Sequence, residues 1–120
     1  MGDGQTSRLR ISDDGAITTV EFVDRNILDE GNIQQIGEEL ARLIESKPDP
    51  RLLLNFSNVD HLSSAALGTL IQMRNKINNK GGKLALSNID PQIYEVFKIT
   101  RLVNLFDIYD NAEKALAELG

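Results

Sequence analysis

The only imidazole in the chain, His61, lies beside Asp60 and just ahead of Ser63 and Ser64. Serine, histidine and aspartate are the residues of nucleophilic catalysis. That chemistry needs the base held against the hydroxyl and oriented by a third group. Side chains crowded into neighbouring positions do not converge in this way, and no Gly-x-Ser-x-Gly elbow is present. His61 therefore reads as an ordinary loop histidine, and no catalytic residue is assigned. The carboxylate pairs Asp13-Asp14, Asp29-Glu30, Glu38-Glu39 and Asp107 with Asp110 are scattered along the chain. Acid–base hydrolysis needs two carboxylates facing each other across a cleft, so these read as turn residues and solvated helix faces. With one His and no Cys, thiolate zinc sites, multi-histidine metal sites and disulfides are excluded within one chain. Gly81-Gly82 lacks the spacing of a phosphate-binding loop and reads as a helix stop. No cofactor and no metal are expected.

The segment Asp60-His61-Leu62-Ser63-Ser64-Ala65-Ala66-Leu67-Gly68 is the most informative. Two serines open a helix directly after an apolar strand and a short loop. A helix N-terminus presents unpaired N–H groups and a partial positive charge. A serine there caps the helix. The same position also suits a regulatory phosphoserine, whose dianion the helix end would stabilise. Ala65, Ala66 and Gly68 are small, which favours a compact, approachable surface over a deep pocket. Arg74, Lys76, Lys80 and Lys83 form a local basic stretch, read either as a solvated face or as a docking surface for an acidic partner.

These residues sit in a chain of 120, about one domain's worth. Eighteen acidic against 13 basic side chains give a net charge of −5, which argues against nucleic acid as a partner. The 41% of hydrophobic residues suffice for a core. No apolar run is long enough to span a membrane, and the polar Met1–Gln5 segment does not resemble a secretory signal. A cytoplasmic protein is expected.

Periodicity places the elements. Residues 1–7 read as a disordered lead-in, and residues 8–120 as one domain. Leu9 and Ile11 alternate with arginines as a strand. Asp13-Asp14-Gly15 then turns the chain into a second strand over 16–23, with Thr18, Val20 and Phe22 on one face. A polar loop over 24–32 leads to a first helix capped by Asn32, with Ile33, Ile36, Leu40, Leu43 and Ile44 as its apolar stripe. Pro48 and Pro50 end that region. Leu52-Leu53-Leu54-Asn55-Phe56 reads as a central strand buried on both faces. After a turn-rich loop over 58–63, the second helix runs from Ser64 to Asn79, with Leu67, Leu70, Ile71 and Ile77 buried and Met73 at the border. A strand over 83–87 precedes a third helix opened by Asp90-Pro91, with Ile93, Val96 and Phe97 buried. The apolar residues 99–106 lead through a further turn into a short strand ending at Tyr109, and Asn111 caps a last helix. This order predicts an α/β fold: an N-terminal hairpin, then alternating helices and strands in a mixed sheet covered by helices.

The strand Leu52–Phe56, its loop and Ser63-Ser64-Ala65-Ala66-Leu67-Gly68 resemble the signature of the STAS domain, and specifically of bacterial anti-sigma-factor antagonists. There an Asp-Ser-Ser/Thr-Gly-Leu-Gly segment follows the central strand and opens the second helix. The resemblance extends to the early hairpin, the Leu28-Asp29 loop, the Gly81-Gly82 turn and the apolar 93–106 region. It implies a STAS-like fold and a non-enzymatic, partner-switching role. The antagonist binds an anti-sigma factor that is also a serine kinase and so frees a sigma factor. Phosphorylation of a serine dissolves the complex, and a phosphatase resets it. Aligned on Leu67-Gly68, the phosphoacceptor falls on Ser64, with Ser63 as the alternative. The family's loop aspartate falls on Asp29. Ser63 stands where the family has Asp, and Ala66 where it has Gly. Asp29, Leu62, Ser63, Ala65, Leu67 and Gly68, with the loop over 24–31, are the expected partner contacts. The alternative is an unphosphorylated scaffold or sensor module acting through protein or small-ligand binding. A monomer or weak dimer is expected.

Overall fold

A computed structural model describes residues 8–14 and 16–119. The lead-in expected over residues 1–7 lies outside the described residues. The chain forms β1 (Leu9–Asp13), β2 (Thr18–Phe22), β3 (Asn26–Ile27), α1 (Glu30–Glu45), β4 (Arg51–Asn55) and β5 (His61–Leu62). It continues with α2 (Ser64–Asn79), β6 (Lys83–Ser87), α3 (Pro91–Ile99), a 3-10 turn (Leu102–Asn104), β7 (Asp107–Tyr109) and α4 (Ala112–Leu119). The main sheet has the order β1-β2-β4-β6-β7. β1 runs antiparallel to β2, pairing Ile11 with Val20, and every other pair is parallel. The expected mixed sheet is present.

Alternation along β4 divides the core. Leu52 and Leu54 point to one side, where they join Val20, Phe22 and the buried stripes of α1, α2 and α3. Leu53 points to the other, with Ile17, Ala85 and the α4 residues Ala115 and Leu119. A strand apolar on both faces is what two covered sides require. The Phe22 and Phe56 rings, 4.9 Å apart, pack on the side covered by α1, α2 and α3.

Several expectations need correction. α1 begins at Glu30, because Asp29 and not Asn32 is its N-cap: the Asp29 carboxylate accepts from the Asn32 N–H at 3.2 Å. The loop over 24–32 and the turn over 58–63 each contain a two-residue strand, β3 and β5, which pair in parallel. The second strand starts at Thr18 rather than Ala16. Asp14 Oδ1 accepts from the Ala16 and Ile17 N–H groups just ahead of the strand. Met73 is fully in the core, not at its border, while Ile71 is half-buried. Val96 is exposed, since α3 buries only Ile93 and Phe97. Within the apolar 99–106 stretch, Ile99 is 80% exposed and Leu105 is exposed, whereas Leu102 and Phe106 are buried. The basic stretch disperses into local contacts. Arg74 donates to the Leu105 carbonyl at 2.6 Å, Lys76 stands 3.9 Å from Glu45, and Lys80 donates to the carbonyls of Ile44 and Glu45 at the end of α1.

At the end of α2, Gly81 adopts a left-handed φ of 74°, and the Gly82 N–H donates to the Ile77 carbonyl at 2.9 Å. A Cβ on Gly82 would stand 2.1 Å from the Pro50 carbonyl oxygen, whereas one on Gly68, inside α2, would meet nothing within 4 Å. Gly82→Ala is expected to destabilise the protein by about 1–3 kcal/mol. Gly68→Ala is expected to be neutral or stabilising by about 0.5–1 kcal/mol. Urea unfolding of both variants checks the contrast. Near the other end of the chain, the N–H groups of Ile17 and Ala16 that donate to Asp14 hold its carboxyl below the usual aspartate range. Its contribution to stability is therefore present above the unfolded-state value and lost as pH falls through the folded one. The stability advantage of wild type over Asp14→Asn is expected to vanish in acid, as urea midpoints measured across pH will show.

Candidate functional site

Crossing from one parallel strand to the next brings α1 and α2 back so that both start at the carboxyl end of the sheet. The short β3–β5 ladder ties these two starts together, pairing Asn26 with His61 and Ile27 with Leu62. The Ile27 carbonyl accepts from the Ser63 N–H at 3.1 Å, and the Arg25 carbonyl from the N–H groups of Asp60 and His61. The loop bearing Asp29 and the loop bearing Ser63 are thus one bonded unit.

Ser63 is the N-cap of α2. Its φ and ψ are extended, and its Oγ accepts from the Ala66 N–H at 3.2 Å. Ser64 occupies the first helical position and is exposed. The two adjacent hydroxyls therefore differ: one is committed to the backbone, and the other faces outward at the positive end of a 16-residue helix. The first turn of α2 contains no acidic residue. A phosphate on Ser64 would be its first anion.

The expected contact residues separate into two groups. Asp29 and Ala65 are exposed, and Leu62, Ser63 and Gly68 are half-buried. Leu67 is only 8% exposed and packs into the core. Its side chain forms no part of the outer face, because it belongs to the stripe that α2 turns toward the sheet. Asp29 is tied to its own helix by the cap. Leu28, expected as a contact only as part of the loop over 24–31, is 54% exposed directly before Asp29. An isolated leucine in a polar loop offers no periodicity to find it by, and its exposure follows from Ile27 taking the buried position of β3.

The Asp60-His61-Ser reading finds no support in the geometry. Asp60 lies 3.7 Å from Arg25, the exposed His61 is on β5, and the Ser63 hydroxyl serves the cap. No helix among the described residues is long and apolar enough to cross a membrane.

The family model described as the STAS domain matches residues 16–115. In sequence the chain is 26% identical over 92 residues to the anti-sigma F factor antagonist of Paenibacillus polymyxa, covering 77% of this chain and 79% of that relative. In structure it is similar to an anti-sigma-factor antagonist (STAS) domain protein from Planctomyces limnophilus. The TM-score is 0.84 at 19% identity, covering 92% of this chain and 97% of that one. It is also similar to the Bacillus cell fate determinant SpoIIAA in its phosphorylated form, with a TM-score of 0.69 at 14% identity, covering 92% and 96%. The family match runs from ahead of the second strand into the last helix, and on that ground the chain belongs to the STAS domain family.

Proposed function

We propose that this chain is a cytoplasmic anti-sigma-factor antagonist. It binds an anti-sigma factor with serine kinase activity and thereby frees a sigma factor. It is switched off when that kinase phosphorylates Ser64, and a phosphatase restores it. The observation that carries this reading is the inequality of the two hydroxyls: Ser63 is occupied as the cap, while Ser64 is exposed one residue later. The names of its relatives support the antagonist role, and the phosphorylated state of the structurally similar SpoIIAA supports the switch.

A phosphate adds about −1.5 to −2 charge at neutral pH. In the free protein that charge meets the positive end of α2 and remains hydrated, so the fold tolerates it. In a complex whose partner closes over the helix start, the phosphate must lose water without gaining a counter-charge, and this loss breaks the contact. Leu28, one residue after the Ile27 that pairs with Leu62, supplies an exposed apolar anchor on the loop tied to the switch.

Incubation with purified anti-sigma kinase and ATP is expected to place phosphate on Ser64, as mapped by mass spectrometry. Ser64→Ala is expected to abolish labelling. Ser63→Ala is expected to retain labelling while losing about 1 kcal/mol of stability with the cap. Labelling that persists in Ser64→Ala would move the acceptor elsewhere. Ser64→Asp is expected to weaken the complex at least about tenfold, or about 1.4 kcal/mol. Unchanged affinity would remove charge from the mechanism.

A further inference from the structure

Outside the Ser64 site, α1 and α2 leave an open groove of about 460 Å³ between their solvent-facing sides. The groove lies next to the switch, because Ala65, the residue after Ser64, lines it. Its floor includes Ile33 and Met73. The helices approach closely beneath it: a Cβ on Gly37 would stand 3.2 Å from Thr69 Cγ2. The two walls differ in charge. On the α2 side stand Ala65 and Thr69, and on the α1 side Glu30, Gln34 and Glu38. The last three are four residues apart and share one helix face. Glu30 and Glu38 are about 12 Å apart along the axis, at 1.5 Å per residue. Among the described residues, no lysine or arginine lines the groove.

Some other surface acids are paired within the chain, while Asp107, Glu113 and Glu118 are exposed without an ion pair among the described residues. Glu45 meets Lys76, Asp60 meets Arg25, and Glu95 meets Lys98. Glu30 and Glu38 take part in no ion pair among the described residues, and Glu38 only accepts a 3.4 Å hydrogen bond from Gln34. An apolar floor with one wall of uncompensated carboxylate is complementary to a segment that carries aliphatic side chains flanked by Lys or Arg.

We infer that the groove between α1 and α2 is a second half of the docking surface, which receives a basic, amphipathic segment of the anti-sigma factor. This rests on the antagonist reading of the Ser64 site. The groove supplies affinity and orientation, and Ser64 at its end supplies the switch. Apart from Ala65 and Glu30, the groove is absent from the contacts expected from the sequence, because it is formed by two helix faces 35 residues apart in register, Glu30 and Ala65.

The test is a calorimetric titration of the anti-sigma factor from the same genome with the full chain, at several salt concentrations, with circular dichroism as a folding control. The variants are Glu30→Gln/Glu38→Gln, Glu38→Lys and Ser64→Asp. The double neutralisation is expected to weaken binding roughly tenfold and to flatten its salt dependence. Glu38→Lys is expected to weaken binding further. Wild-type binding left unchanged by both groove variants would overturn the groove, while the switch is judged separately by Ser64→Asp. Groove variants that weaken binding while Ser64→Asp does not would uphold the groove and overturn the switch. No binding by wild type overturns both. A dimer of the chain alone that Glu38→Lys dissociates would seat a second copy in the groove and overturn the assignment to the anti-sigma factor.

Discussion

A single hydrogen bond separates two neighbouring serines. The Ala66 N–H is one of the donors that the start of α2 leaves without a helical partner, and the Ser63 hydroxyl accepts from it. Because that bond is made, the Ser63 side chain points back over its own helix. Ser64, one residue on, is left outside the capping arrangement and exposed. A carboxylate at position 63 would cap equally well but would place a negative charge beside the acceptor. The serine found here keeps the first turn of α2 free of acid.

The cap matters because the sheet places it. Parallel connections from β2 through α1 to β4, and from β4 through α2 to β6, return both helix starts to one end of the molecule. The β3–β5 ladder, only two residues long, joins these starts, and the backbone bond from Ser63 to Ile27 completes it. Asp29 and Ser63 are N-caps of different helices, yet they are held on one bonded platform. The platform is polar at its rim and carries Leu28 outward. The valley between the two helices continues it along the surface.

Much of this was legible in the sequence, and the misses share a cause. α2 and β6 follow from strong local signals: serines before an apolar stripe, and a glycine pair before an apolar run. Leu52–Leu54 announced a strand covered on both sides, and the two core clusters bear that out. The β3–β5 ladder could not be read, because two-residue strands have no period and are stabilised by a partner 35 positions away. The α1 cap was misplaced between two good capping residues, Asp29 and Asn32, and only the backbone geometry decides between them. Leu67 was expected both in the apolar stripe of α2 and, from its place in the motif, as a partner contact. The helical period, which sends it inward with Leu70, prevailed. Val96 and Ile99 continue an apolar stripe of which α3 buries only Ile93 and Phe97.

Hydrogen–deuterium exchange of the full chain, alone and with its anti-sigma factor, tests the central claim most directly. A partner seated on the joined helix starts must slow exchange at backbone amides around residues 28–31 and 62–69. The same segments must return to their free rates once the serine is phosphorylated. Slowing confined to α3, α4 or the edge strands, with residues 62–69 unaffected by the partner, would contradict the account.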